Sequence, residues 1–100
     1  MCGFVGVHRL DGAAVDAQAL AELASIIAHR GPDGKGVWVR DGIGLAHRRL
    51  AVIDPKGSPQ PMASVDGSLH IAFNGEIVNY RELRSGLRYP FVTNGDTEVQ

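Results

Sequence analysis

The sequence predicts an α+β fold in which the strands pair antiparallel. Residues 36–40 and 43–53 are rich in apolar and β-branched side chains and are joined by an Asp-Gly pair, a pattern typical of a β-hairpin. Residues 3–8 form another candidate strand, which ends before a second Asp-Gly turn. Residues 16–29 carry apolar side chains at helical spacing. These observations indicate a helix and antiparallel strands within one domain.

The predicted helix has a stripe of apolar residues and signals at both ends. Asp16 is a candidate N-cap, and Gly31 and Pro32 stop the helix. Four residues share the i, i+3, i+4, i+7 spacing that places side chains on one helix face: Leu20, Leu23, Ala24 and Ile27. We therefore expect one face of this helix to be buried.

Shorter elements are predicted after the hairpin. Residues 54–62 contain three of the five prolines and should form a loop, because proline lacks the N–H that regular structure uses. A strand is predicted at 69–73, a short helix at 77–87 and another strand at 91–93. Asp96 begins a helix-start pattern, yet the sequence stops before a helix body. We expect these 100 residues to be part of a longer protein and to be inactive alone.

Composition and charge exclude several classes of function. The chain has 100 residues, enough for one domain, and a net charge of −1, which gives no general attraction to nucleic acid or to an anionic membrane. Its single cysteine excludes an internal disulfide, and its four histidines are not spaced as metal ligands. No apolar run approaches the ~20 residues of a membrane helix, and no signal peptide is visible. A soluble cytoplasmic protein without a metal is expected.

Cys2 lies at the start of the chain, where it could serve as a catalytic nucleophile. If Met1 is removed, Cys2 gains an α-amino group with an ordinary pKa of ~7.7–8, which can accept the proton of its own thiol. The predicted strand at 3–8 would hold this nucleophile and base in place. A small buried cysteine without a chemical role is the alternative, and the position alone leaves both interpretations open.

A second motif, FNGE at 73–76, supplies hydrogen-bond donors. The Asn74 side chain and the Gly75 N–H are the kinds of donor that form an oxyanion hole, and Glu76 could bind an amine. Asn-Gly is also among the commonest turn pairs. A plain turn is therefore the stronger interpretation when this motif is judged alone.

A third motif, AHRRLAVID at 46–54, supplies an arginine that could grip a carboxylate. Strand alternation sends Arg48 and Arg49 to opposite faces, so at most one of them points into a given site. A solvated arginine at a sheet edge is the alternative for either. His47 is predicted to be a structural hydrogen-bonding residue. Asp96 in GDTEV, judged alone, is expected to cap a helix.

Taken together, these groups match the needs of a hydrolase that acts on free glutamine: a nucleophile with a base, a carboxylate-binding arginine, acids for the α-amine and an oxyanion hole. Six motifs occur in one order along the chain: MCGFVGV, HRGPDGKG, LAHRRLAVID, QPM, FNGEIVNYRELR and GDTEV. They resemble the glutaminase domain of asparagine synthetases, which are class II glutamine amidotransferases with an N-terminal nucleophile. HRGPD at 29–33 is the most discriminating of the six.

The resemblance implies a role for each matching residue. Cys2 would attack the side-chain amide, passing through a γ-glutamyl thioester, and Arg49 rather than Arg48 would bind the α-carboxylate. Asn74 and Gly75 would form the oxyanion hole. Glu76 and Asp96 would hold the α-amine. The backbone after Arg49 would line the glutamine pocket: Leu50, Ala51, Val52 and Ile53.

The resemblance also implies properties of a complete protein. Its fold would be the Ntn-hydrolase αββα sandwich with antiparallel sheets, of which residues 1–100 are the N-terminal part. A missing C-terminal synthetase domain would use ATP and Mg²⁺ to amidate aspartate, while the present segment needs no cofactor. The implied partners are glutamine, that domain and a second copy of the chain in a homodimer. Two alternatives stay open: amidation of another carboxylate, or a catalytically silent binding or regulatory module.

Overall fold

The computed structural model describes residues 2–54 and 56–100. Met1, which we predict to be absent from the active protein, lies outside the described residues. The elements are, in chain order, β1 (Gly3–His8), α1 (Ala17–Ser25), β2 (Gly34–Arg40), β3 (Ile43–Arg49), β4 (Met62–Ala63), β5 (His70–Ile71) and α2 (Tyr80–Gly86). Short 3₁₀ turns follow α1 at Ala28–Arg30 and end the chain at Thr97–Val99.

The first three strands form an antiparallel sheet in the order β1-β3-β2. The predicted hairpin is confirmed, and its turn places Asp41 at a positive φ of 51°. Ala46 of β3 faces Val5 of β1 on one side and Val37 of β2 on the other. The α+β class with antiparallel pairing is therefore confirmed.

Helix α1 covers one face of this sheet. The Asp16 side chain accepts a hydrogen bond from the Gln18 N–H at 2.9 Å, so the predicted N-cap is confirmed. The buried centre joins the helix to β3: Leu20, Ala24 and Ala46, with Val5, Val7, Val15 and Val39 packed around them. Leu23 is 48% exposed, so the predicted stripe was wrong there. The helix ends at Ser25 rather than at 29 and continues as a 3₁₀ turn.

The opposite face of the sheet carries the predicted functional side chains. Register pairs His47 with Phe4 and Gly36, and Arg49 with Gly34, so these residues share the face away from α1. Arg48 pairs with Gly3 and Lys35 on the helix side. The prediction that the two arginines separate is confirmed by this alternation.

A small second sheet pairs β4 with β5 antiparallel. It is joined to the first sheet by the stacked rings of Trp38 and His70, whose centroids lie 3.9 Å apart. The chain leading into β4 lies directly on β2, since a Cβ added at Gly36 would be 1.9 Å from the Gln60 carbonyl oxygen. Glycine is needed at that position because two main chains meet there.

Two predicted strand segments have a different structure. The strand expected to run to 53 ends at Arg49, because the Ala51 N–H donates to the Asp33 carboxylate at 2.9 Å instead of joining a ladder. No strand forms at 91–93, where the Glu98 carboxylate accepts the backbone N–H groups of residues 92 and 93. In both places a nearby carboxylate satisfies the backbone donors that a sheet would otherwise use.

The strand predicted at 3–8 is confirmed at its full length. Two of the elements predicted after the hairpin are present but shorter. The strand at 69–73 is His70–Ile71, and the helix at 77–87 is Tyr80–Gly86. No helix in the described part of the chain has the length and apolar character needed to cross a membrane.

Candidate active site

A cavity of about 360 Å³ opens on the sheet face opposite α1. Five separate stretches of chain contribute to its walls: the start of β1, the segment after β3, the loop before β4, the segment after β5 and the final turn. Its lining comprises Cys2, Arg49, Leu50, Val52, Ile53, Ser58, Gln60, Phe73, Asn74, Gly75, Glu76, Asp96 and Thr97. A thiol, a guanidinium, two carboxylates and two side-chain amides therefore meet around one space.

Cys2 is positioned by the pairing of β1 with β3. Its Sγ accepts a hydrogen bond from the Leu50 N–H at 3.3 Å and lies 3.6 Å from the Leu50 carbonyl oxygen. The Cys2 carbonyl oxygen accepts a hydrogen bond from Nε of Arg30 at 3.1 Å. The thiol is half-buried and free. It therefore stands at the leading end of a strand, as predicted, with its direction set by backbone contacts.

Arg49 is held at the cavity wall by the main chain that follows it. Its Nη2 donates to the carbonyl oxygens of Ile53 at 2.8 Å and Asp54 at 2.7 Å. A guanidinium carries five N–H donors in a planar fork, and anchoring one nitrogen orients the whole plane. The turn after β3 thus fixes the direction in which this cation faces the cavity.

The HRGPD loop, residues 29–33, contacts the end of β3 and the segment that follows it. The Asp33 N–H donates to the Arg49 carbonyl oxygen at 3.0 Å, and Arg48 Nε donates to the Gly31 carbonyl oxygen at 3.2 Å. A Cβ at Gly31 would be 2.2 Å from the Arg48 carbonyl carbon, so only glycine permits this approach. HRGPD therefore acts on the cavity through the backbone of residues 48–51.

The Phe73 peptide is held from both sides. Its N–H donates to Oε1 of Gln60 at 2.6 Å, and its carbonyl oxygen accepts from Nε2 of His47 at 3.0 Å. Phe73 directly precedes Asn74 and Gly75. These two bonds therefore position the backbone that presents the predicted oxyanion donors.

His47 is 1% exposed, and burial lowers the pKa of its imidazole, an effect to which the positive charge of Arg49 adds. A carbonyl oxygen can only accept, so Nε2 carries the proton and Nδ1 is bare. Nδ1 is buried and has no hydrogen-bond partner among the described residues. A neutral, structural imidazole follows, which agrees with the prediction for this residue.

Asp96 is 8% exposed and lines the cavity. Its Oδ2 accepts a hydrogen bond from the Ile77 N–H at 2.9 Å, and it makes no capping bond to the 3₁₀ turn that it precedes. The expectation that Asp96 caps a helix was therefore wrong. Its carboxylate is used across the fold instead, joining the last turn to the segment that follows Glu76.

Asp54 ties the Arg49 turn to the loop at 94–95. Its carboxylate accepts from the Asn94 N–H at 3.0 Å, the Ser58 hydroxyl at 3.0 Å and the Gly57 N–H at 3.2 Å. The Asn94 bond above all lowers the pKa of this carboxyl. Asp54 adopts a positive φ of 51°, a conformation that aspartate tolerates better than most residues. An ionised carboxylate therefore holds this corner of the site together.

The family model of the glutamine amidotransferase domain matches residues 1–100. The chain belongs to this family. Similar proteins include asparagine synthetase [glutamine-hydrolyzing] 1 of Bacillus subtilis (strain 168), which is 43% identical over 105 residues. That alignment covers 99% of this chain and 17% of the relative. The predicted resemblance is confirmed.

Two other relatives of the amidotransferase domain come from distant organisms. Asparagine synthetase [glutamine-hydrolyzing] of Brassica oleracea is 41% identical over 104 residues, covering 99% of this chain and 17% of the relative. Asparagine synthetase B [glutamine-hydrolyzing] of Escherichia coli (strain K12) is 39% identical over 102 residues, with 99% and 18% covered. The domain thus spans less than a fifth of the length of these proteins.

The amidotransferase domain brings nearly all of its predicted site residues to the cavity. Ala51 is the exception, because it is not among the lining residues and its N–H points to Asp33. Sequence reasoning missed four lining residues: Ser58, Gln60, Phe73 and Thr97. The QPM motif and the positions beside Asn74 and Asp96 were the signals that could have identified three of them.

No group of three or more His, Cys, Asp or Glu side chains in residues 2–54 and 56–100 could hold a metal ion. What the cavity offers is a thiol, cationic and anionic side chains and backbone donors around one space. This set suits nucleophilic attack on a carbonyl carbon of a small zwitterionic molecule.

Proposed function

We propose that this domain hydrolyses the side-chain amide of glutamine through a thioester on Cys2. The observation that carries the proposal is the single cavity lined by Cys2, Arg49, Asn74, Gly75 and Asp96. Membership of the glutamine amidotransferase family supports glutamine as the substrate. The carboxylate and the ammonium group at the α-carbon of glutamine would each have a partner of opposite charge, and the amide would have a nucleophile and hydrogen-bond donors.

The proposed reaction begins when the α-amine of Cys2, freed by removal of Met1, accepts the thiol proton. The sulfur attacks the amide carbon, and the carbonyl becomes an oxyanion that accepts hydrogen bonds from the Asn74 side chain and the Gly75 N–H. The carbon–nitrogen bond then breaks, and the proton leaves with ammonia. Water attacks the resulting thioester, which releases glutamate and restores the thiol.

The charged groups of the cavity would bind the reactant end that does not change. The Arg49 guanidinium is suited to the α-carboxylate, because its planar fork matches two carboxylate oxygens. Glu76 and Asp96 are suited to the α-ammonium group. Since these contacts are the same in the ground state and the transition state, they should govern KM more than kcat.

We further propose that the ammonia is used to amidate aspartate in an ATP-dependent domain outside this segment. The names of the similar proteins and the small share of their length that is covered support this assignment. ATP and Mg²⁺ would belong to that other domain. An acceptor other than aspartate would be identified by product analysis with candidate carboxylic acids.

The fold expected of the complete domain is the αββα sandwich of the Ntn hydrolases. Two antiparallel sheets with α1 outside the first of them support this proposal. The present segment would supply the nucleophile, the carboxylate-binding arginine and the oxyanion donors. The remaining strands and helices would come from the sequence that follows in the longer protein.

The test is glutamine-dependent release of ammonia by the full-length protein. The Cys2→Ser variant should lose at least about 1,000-fold of the rate, since the nucleophile is removed. Mass measurement of the N-terminus should show that Met1 is absent. A Cys2→Ser variant that still releases ammonia from glutamine at the native rate would show that the nucleophile is elsewhere. A retained Met1 would contradict the role of the Cys2 α-amine as the base.

A further inference from the structure

The Gln60 side chain connects two segments of the cavity wall that lie far apart in sequence. Its Oε1 accepts the Phe73 N–H at 2.6 Å, and its Nε2 donates to Oγ1 of Thr97 at 3.1 Å. The amide orientation is determined, because the Phe73 N–H can only donate and therefore requires the oxygen. Each half of the amide is thus used by a different segment.

The two segments carry different parts of the proposed glutamine site. Phe73 precedes the oxyanion donors Asn74 and Gly75, and Thr97 follows the amine-binding Asp96. Thr97 is 4% exposed and Gln60 is 9% exposed, so the bond between them is buried, and the bond from the Phe73 N–H to Gln60 is partly buried. Buried hydrogen bonds of this kind restrict geometry because the loss of one leaves an unsatisfied polar group.

Gln60 is itself fixed in place. Its carbonyl oxygen packs against Gly36 of β2, where even one added carbon would lie 1.9 Å away. Its side chain reaches the cavity from this position and is part of the lining. The sheet, the oxyanion segment and the final turn therefore meet at one amide group.

We propose that Gln60 is a positioning residue that sets the oxyanion donors and the amine-binding carboxylate at the spacing glutamine requires. This inference rests on the proposed glutaminase function. Gln60 acts through Phe73 and Thr97 rather than on the reacting atoms. Because it joins two parts of the site, removing it affects both kcat and KM, whereas removing the Thr97 hydroxyl affects mainly KM.

Kinetics of the full-length protein with glutamine would test the proposal. Gln60→Met keeps most of the side-chain volume and removes both bonds, and should lower kcat/KM by about 10- to 100-fold with changes in both constants. Thr97→Val should raise KM by about threefold or more, while Thr97→Ser, which keeps the hydroxyl, should restore it. Gln18→Met, at an exposed position of α1, is the matched control.

The decisive measurement is the double variant. If the Thr97 hydroxyl acts through its hydrogen bond with Gln60, adding Thr97→Val to Gln60→Met should change kcat/KM by less than about twofold. If the effects of the two substitutions on kcat/KM multiply, the coupling between Gln60 and Thr97 is overturned. A Gln60→Met variant within about twofold of the native kcat/KM would overturn the positioning role. If Gln60→Met fails to fold, the Thr97→Val and Thr97→Ser pair decides, and equal KM values would overturn the proposal.

The outcomes separate this inference from the function on which it rests. A native protein that releases no ammonia from glutamine overturns both. A native protein that is active, loses activity with Cys2→Ser and is indifferent to Gln60→Met overturns the positioning role alone. Thermal unfolding of every variant shows that kinetic changes are measured on folded protein.

Discussion

The sulfur of Cys2 accepts a hydrogen bond from the backbone N–H of Leu50, 3.3 Å away and 48 positions along the chain. Antiparallel pairing of β1 with β3 makes this contact, since Gly3 stands opposite Arg48 in the sheet. The nucleophile is thereby placed beside the segment that carries Arg49. Alternation along β3 then selects which arginine can share the cavity with the thiol.

Replacing Arg49 should weaken glutamine binding far more than replacing Arg48. Arg49→Lys keeps the charge but loses the planar fork, so the glutamine concentration that half-protects Cys2 from alkylation should rise by about tenfold or more. Protection is measured by mass spectrometry of the N-terminal peptide, which holds the only cysteine of this segment. Arg48→Lys, on the helix side of the sheet, should shift that concentration by less than about threefold. Equal shifts would remove the assignment of the carboxylate to Arg49.

Gly36→Ala should destabilise the domain because the added methyl group meets the Gln60 carbonyl oxygen at 1.9 Å. Overpacking against main chain is expected to cost about 1–3 kcal/mol of unfolding free energy, measured by denaturant titration. Gly86→Ala is the matched control, since a Cβ added there would meet no atom within 4 Å outside its chain neighbours and its own helix backbone, and the site ends a helix. It should be neutral or stabilising by up to about 1 kcal/mol. A Gly36→Ala variant as stable as the control would contradict the contact.

The stability of the domain should fall as pH drops below about 6.5, because the fold favours the neutral form of His47. Burial lowers the pKa of His47, so the unfolded chain takes up a proton first as pH falls and is favoured. The stabilising difference is complete above the unfolded pKa and is lost as pH falls toward the folded pKa. His47→Gln keeps a donor for Phe73 without a titrating group. Denaturant midpoints at about pH 7.5 and about pH 5.5 should differ less in this variant than in the native protein.

Asp54→Ala should raise the KM for glutamine by about tenfold, because the turn that anchors Arg49 loses three hydrogen bonds to a carboxylate. Asp66→Ala is the matched control. Asp66 also accepts from neighbouring Ser64 and Ser68, which lower the pKa of Asp66 to about 2, but it is outside the cavity lining. The control should leave KM within about twofold of the native value. Equal effects on KM would indicate general loosening rather than loss of the Arg49 anchor.

Local patterns in the sequence were sufficient for the main elements. The Asp16 cap, the hairpin at Asp41-Gly42 and the opposite orientations of Arg48 and Arg49 depend on neighbours a few positions apart. The ordered motifs also predicted the family, and most of the residues assigned to the glutamine pocket line one cavity. Short-range hydrogen bonds and side-chain alternation depend on residues that are close in sequence, so they can be predicted without knowledge of the fold.

The tertiary structure alone decided where the strands end and how the cavity is held. Asp33 and Glu98 take backbone donors that would otherwise extend strands, and each choice depends on which carboxylate folding brings near. Gln60 reaches Phe73 and Thr97 over 13 and 37 positions. Such bonds leave no periodic signature in the sequence, and they form only when the fold brings the donor and the acceptor together.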